Sequence, residues 1–258
     1  MNEIEKLLNK VKVIAQDAAN EIYSHSGKNN LRSYNFDTEL NKEAKSTADI
    51  FLEKYLLSRL SKFNIPILSE ESGLHGDSSN SEFLFILDPL DGTFNYVRDF
   101  GPSAISVALF KNNIPQFGVI YDLNQSQLIW GGKDFGAFID TNKIMVSRSK
   151  ALNESVICSG FPVRYDMKKM FNDNLLDILY RFAKVRMIGS AAISLSKVAS
   201  GIADAYFEKN IMLWDIAAGI AIIEGAGGKF ELSPKRDEYS YDLLASNKDL
   251  FDVLSRIT

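Results

Sequence analysis

Apolar and polar positions fall into blocks of two periods along this chain. Between residues 3 and 24, Ile4, Leu7, Leu8, Val11, Ile14, Ala15, Ala18 and Ile22 recur on one helical face, with Lys, Asn, Asp and Glu opposite. That spacing predicts a first amphipathic helix. From Ser24 to about Lys45 the periodicity disappears and polar residues dominate, which predicts a long loop or a short hairpin. Ser46 or Thr47 then caps a second helix that carries Phe51, Leu52, Tyr55, Leu56 and Leu60 inward and breaks near Asn64-Ile65-Pro66. Apolar runs at residues 65–68 and 83–87 read as buried strands separated by a polar loop. Between Ser103 and Ser147, short Val-, Ile- and Phe-rich runs alternate with turn signals, predicting an antiparallel meander of about five strands.

The remaining chain reads as strands alternating with helices. Phe171, Leu175, Ile178, Leu179 and Phe182 are in helical phase over about residues 171–183, and a short strand is expected over 186–188. Gly189-Ser190 opens a helix that runs through Ser200 and is closed by Gly201, and residues 203–208 read as a strand. Trp214-Asp215 opens a helix over 216–226 that is apolar nearly all round and so must be buried on every side. A strand to Leu232 and an amphipathic helix over 247–257 complete the pattern. The class is α+β. An N-terminal half, residues 1–146, and a C-terminal half, 147–258, are expected to form one compact unit.

At 258 residues and 46% hydrophobic, the chain has ample material for a core. A single cysteine, Cys158, excludes an internal disulfide, and with two histidines a Cys/His zinc site is close to excluded. Any metal would therefore have oxygen ligands, which favours Mg²⁺, Mn²⁺ or Ca²⁺. A net charge of −4 without basic clusters argues against a nucleic-acid surface. No signal-peptide pattern and no apolar run approaching 18 residues is found, so a cytoplasmic, non-membrane protein is expected.

The chemistry concentrates in Ile86-Leu87-Asp88-Pro89-Leu90-Asp91-Gly92-Thr93. Pro89 fixes the backbone between two carboxylates, so Asp88 and Asp91 can face one point. Two ionised groups a few ångströms apart repel by roughly 4 kcal/mol at an effective dielectric near 20, so such a pair shares a proton or holds a cation. Gly92 and Thr93 add backbone N–H groups suited to an oxyanion such as phosphate. The same residues could equally form an ordinary Asp-Gly surface turn. Further acids stand at element ends: Asp49 in the first turn of the second helix, Glu70-Glu71 at a strand exit, and Asp215 opening the buried helix. Asp49 also reads as a simple N-terminal helix acid. At most one of Glu70 and Glu71 faces inward. For Asp215, helix cap and metal ligand both remain open.

Taken in order, these motifs resemble the inositol monophosphatase family of magnesium-dependent, lithium-sensitive phosphatases. The resemblance is carried by Glu70-Glu71-Ser72, by Asp88-Pro89-Leu90-Asp91-Gly92-Thr93 with Asn95-Tyr96, and by Leu213-Trp214-Asp215-Ile216-Ala217-Ala218-Gly219 with Gly227-Gly228. The stretch from Gly189-Ser190-Ala191-Ala192 to Glu208 is similar as well. The resemblance implies a layered α-β-α-β-α sandwich, usually a homodimer, with metals between the halves. It implies that Glu70, Asp88 and the Leu90 carbonyl bind a first Mg²⁺, that Asp88, Asp91 and Asp215 bind a second, and that Glu70 with waters holds a weaker third. Thr93 with Asp49 would orient or deprotonate a metal-activated water for in-line attack. Gly92, Thr93 and Ala191, next to Gly189 and Ser190, would hold the phosphate, and Glu208 would accept from a substrate hydroxyl.

Two departures stand out: Lys45-Ser46 where the family usually has Val-Thr, and Arg98-Asp99 where histidine often follows. The Thr93-Phe94-Asn95-Tyr96 stretch resembles the inositol-type branch, which implies a small polyol or sugar monophosphate as substrate. Relatives acting on 3′-phosphoadenosine 5′-phosphate or fructose 1,6-bisphosphate give the alternatives within the class. A transcription antitermination partner is the alternative outside it.

Overall fold

The computed structural model describes residues 2–25, 31–36, 44–79, 81–161, 175–235 and 238–257. Helix α1 (Glu3–His25) buries the predicted stripe of Leu7, Leu8, Val11, Ala15, Ala18 and Ile22. Between it and the second helix, β1 (Tyr34–Phe36) and β2 (Ala44–Ser46) pair antiparallel, so the hairpin alternative holds for the described part of that polar stretch. Helix α2 (Thr47–Leu60) starts from a Ser46 capping box and buries Leu52, Leu56 and Leu60.

A large sheet follows: β3 (Ile67–Ser69), β4 (Gly73–His75), β5 (Phe83–Asp91), β6 (Ala104–Lys111), β7 (Ile114–Asp122), β8 (Gln127–Gly132), β9 (Gly136–Ile139) and β10 (Asn142–Ile144). Its eight strands lie in the order β10-β9-β8-β7-β6-β5-β3-β4. The five strands from β6 to β10 are the expected antiparallel meander. Strand alternation sends Phe85, Leu87, Ile105, Val107, Phe117 and Val119 to one face, where they pack on α1 and α2. Ile86, Ala104, Ala108 and Ile120 go to the other face.

On that second face lie two helices, α5 (Ala191–Ala199) and α6 (Leu213–Gly225), sandwiched against a second sheet. This sheet has five strands, β11 (Val156–Cys158), β12 (Lys184–Arg186), β13 (Ala205–Met212), β14 (Lys229–Pro234) and β15 (Ser240–Ser246), in the order β12-β11-β13-β15-β14. Its outer face, with Ile157, Phe207 and Leu244, is covered by α4 (Leu175–Tyr180) and α7 (Lys248–Leu254). The layers are therefore α-β-α-β-α. Helix α6 is the central slab, with Ile216, Ala217, Ile220, Ile222 and Ile223 all inaccessible, which is why its sequence is apolar all round.

The differences from expectation have local causes. Strand β5 continues through Pro89 to Asp91 instead of stopping at Leu87, because its pairing with β6 shifts register between Asp88 and Asp91. A bulge tolerates a residue without an N–H. β4 and β15 were not expected. β15 lies between two neighbours in its sheet, and its central Leu243 and Leu244 are both buried, one on each face, so alternation is absent. The short strand lies at 184–186 because it pairs in parallel with β11, two residues earlier than anticipated. The start of the expected 171–183 helix falls outside the described residues.

Helix α6 approaches the large sheet closely because β7 offers Gly118: a Cβ there would stand 2.1 Å from the Ala218 carbonyl oxygen. Gly118→Ala must push helix from sheet. We expect it to cost about 1–3 kcal/mol in urea unfolding, the scale of core overpacking. An unchanged midpoint would contradict the contact.

Candidate active site

The parallel pairing of β3 with β5 sets Ser69 beside Leu87, and the Glu70 N–H extends it by donating to the Leu87 carbonyl at 3.1 Å. Glu70 and Asp88 therefore leave neighbouring strands side by side. Asp88 is 1% exposed; its Oδ1 accepts from the Leu90 N–H at 2.9 Å, and its Oδ2 is buried without a hydrogen-bond partner among the described residues. Asp215 joins them from the first turn of α6. Met212, not Asp215, is the N-cap of that helix, and Asp215 stands in its first turn. Carboxylate oxygens of Glu70, Asp88 and Asp215 lie within 4.8 Å of one another.

Burial, then the charges of Glu70, Asp91 and Asp215, hold the Asp88 carboxyl well above its ordinary value. An all-oxygen donor set with an orphaned buried oxygen fits a hard divalent cation. The cluster could hold a metal ion.

Asp91 faces a different neighbour. Its Oδ2 accepts from the Ser190 hydroxyl and from the Ala192 N–H at 2.7 Å, and Oδ1 from the Ala191 N–H at 3.3 Å. Ser190 is itself the N-cap of α5, accepting from the Ile193 N–H. Burial raises Asp91 to about 6, while these hydrogen bonds hold it down. Gly92, at φ +81°, then turns the chain into the six-residue helix α3 (Thr93–Arg98). A Cβ on Gly92 would lie 3.0–3.2 Å from Pro102, Gly189 and Ser190, so the turn, Gly189 and Ser190 are packed together.

Asp49 sits behind this turn, 1% exposed. Its Oδ2 accepts from the Ser46 N–H and hydroxyl, leaving Oδ1 for the Thr93 hydroxyl at 2.7 Å. The same hydroxyl lies 2.9 Å from the Leu90 carbonyl, and its one proton can serve only one acceptor at a time. Burial pushes the Asp49 carboxyl up, opposed by the Ser46 and Thr93 hydrogen bonds.

A cavity of about 700 Å³ opens from Asp91, Asp215 and Gly189 through Ala191 toward Glu208 and Arg98. Arg98 thus belongs to the cavity rim, while Asp99 pairs with Arg32 at 3.1 Å. Glu208 is aimed inward at a bulge of β13, between Glu208 and Ile211. Burial raises it to about 7, although the Tyr206 hydroxyl donates to it at 2.5 Å.

Sequence reasoning did not single out several residues that support the site. Tyr206 is inaccessible and fixes Glu208. Gly160 leaves the room Glu208 occupies, since a Cβ there would stand 2.4 Å from its carboxylate. Asn95 appeared only as a motif letter. Its amide donates to the Pro102 and Ile188 carbonyls at 2.9 and 2.8 Å, tying α3 to the segment before α5. Glu71 is paired with Lys45. None of these carries a periodicity signal, because each matters through a specific side-chain contact and not through its place on a helix or strand face.

The family model described as the inositol monophosphatase family matches residues 2–253. The chain is 32% identical over 260 aligned residues to a fructose-1,6-bisphosphatase/inositol-1-monophosphatase of Aquifex aeolicus, covering 100% of this chain and 97% of that one. It is 33% identical to the Nus factor SuhB of Xylella fastidiosa, with 94% and 90% covered. The crystal structure of the extragenic suppressor protein suhB from Bartonella henselae superposes with a TM-score of 0.84 at 28% identity, covering 97% of each chain.

Asp91 at about 6 and Glu208 at about 7 stand above ordinary values of 3.8 and 4.5. Between those limits the folded protein binds more protons than the unfolded chain, so these groups lower stability as pH rises through the window. We expect urea unfolding in chelator to show a smaller loss from pH about 4 to about 7 for Glu208→Gln than for the parent, given the raised Glu208. Equal slopes would contradict the burial of an ionisable Glu208.

Proposed function

Since the chain belongs to the inositol monophosphatase family and so is a phosphoric monoester hydrolase, we propose that it cleaves a small polyol or sugar monophosphate of the inositol-1-phosphate type. The observation that carries the reading is the buried, unpartnered Asp88 Oδ2 amid Glu70 and Asp215. We take Mg²⁺ as the cation, in two or three sites, with Glu70, Asp88, Asp91, Asp215 and the Leu90 carbonyl as ligands. Bound there, Mg²⁺ neutralises charge on the phosphate and lowers the pKa of water.

The chain's own groups do the rest. Gly92 and Thr93, at the start of a helix without a side-chain cap, offer N–H groups to phosphate oxygens, and Ala191, whose N–H donates to Asp91 at 3.3 Å, lines the cavity beside them. Thr93 donates to Asp49, which leaves the lone pairs of the threonine hydroxyl to accept a proton from an attacking water. Asp49 is the acceptor at the end of that relay, and its raised proton affinity suits the task. Glu208, held by Tyr206 at the cavity wall, accepts from a substrate hydroxyl and so favours polyols. The acting unit is expected to be a cytoplasmic homodimer without a nucleic-acid partner.

A second reading, participation in transcription as a Nus factor, is favoured by the Xylella relative of that name. Pull-down against purified transcription components tests it. The complete acid set argues that catalysis is retained alongside.

The deciding assay is phosphate release from a panel of phosphomonoesters, with and without Mg²⁺ and with lithium added. Release that needs Mg²⁺, is suppressed by lithium and is fastest for polyol monophosphates is expected. A preference for 3′-phosphoadenosine 5′-phosphate by about two orders of magnitude would overturn the substrate class. Asp49→Asn should lower turnover at least about a hundredfold, the scale of a lost general base, with an unchanged circular dichroism spectrum. Unaltered turnover would remove Asp49 from the relay.

A further inference from the structure

Lys45 lies on β2, one residue before the Ser46 cap that fixes Asp49. Its ammonium stands 3.1 Å from Oε2 of Glu71, whose side chain is only 9% exposed. Glu71 follows Glu70 directly in the chain, so the pair is anchored one residue from a member of the acid cluster. Around Glu71 the nearby charges of Asp49 and Glu53 are negative, and Lys45 opposes them. Glu53 is engaged on its own account, its Oε1 accepting from the Ser69 and Ser72 hydroxyls, each at 2.6 Å. Among the described residues carboxylates thus surround Glu71, and Lys45 is the cation set against it.

We propose that Lys45 is a positioning residue that sets the charge balance of the site: fixed on Glu71, its ammonium loosens the hold on divalent cations and strengthens the hold on the substrate's phosphate. The proposal rests on the metal-dependent reading given above. A fixed positive charge on the neighbour of Glu70 acts on the two ligands with opposite signs, repelling the cation and attracting the anion. A tether that merely held β2 against the Glu70-Glu71 corner has no such signature. Cutting it would weaken both ligands or neither.

Titration calorimetry separates these cases, with Mg²⁺ added to the metal-free protein and inorganic phosphate added to the Mg²⁺-saturated protein, at low ionic strength and mildly alkaline pH. For Lys45→Met the Mg²⁺ dissociation constant is expected to fall about three- to tenfold and that of phosphate to rise by a similar factor. Lys45→Arg should keep both near the parent values. Glu71→Gln should shift both in the opposite sense, and combining it with Lys45→Met should bring both back toward the parent. These arms keep the test decisive if Lys45→Met folds poorly. Weakening of both ligands in Lys45→Met, or a change in neither, overturns the proposal while leaving the metal site in place. A parent protein that takes up no Mg²⁺ overturns the metal-dependent reading itself.

Discussion

Carboxylates of Glu70, Asp88 and Asp215 converge to within 4.8 Å, with one oxygen of Asp88 buried and met by no donor. Unit charges about 4 Å apart repel by roughly 4 kcal/mol at an effective dielectric near 20. Removing a carboxylate oxygen from water without a partner adds to that cost. The fold imposes this arrangement through well-packed elements: two neighbouring parallel strands that set Glu70 beside Asp88, and a helix buried on every side. A cation bound there would turn the imposed repulsion into binding free energy.

The neighbouring acids Asp91 and Asp49 each have dedicated hydrogen-bond partners as well. Asp91 is engaged by Ser190 and the first N–H groups of α5, and Asp49 by Ser46 and Thr93. Each set of hydrogen bonds opposes the upward push of burial, so neighbouring carboxylates differ in proton affinity according to their donors. Such separation permits one group to hold a cation and another to take a proton.

Joining the two halves of the chain is a matter of close backbone approach. The Asp91 carboxylate and the Asn95 amide both reach the 188–192 segment, and Gly92 lets that segment pack against the turn. Gly118 does the same between α6 and the large sheet. Small residues at these points allow the layers to meet at distances that any side chain would prevent.

The sequence by itself determined the elements whose periodicity is strong: the stripe of α1, the alternation of the meander, and the all-round apolar α6. It also determined which acids stand at element ends, since Asp49, Glu70, Asp88, Asp91 and Asp215 each follow or open a recognisable run. What only the tertiary structure decided depends on partners distant along the chain. β15 is buried on both faces and so lost its alternation. Gly160 and Asn95 matter through what they touch across the molecule, and the pairing of Lys45 with Glu71 joins a hairpin to a strand exit. Local pattern reports how a residue relates to its own helix or strand. Charge balance and close approach are set by the neighbours that folding brings.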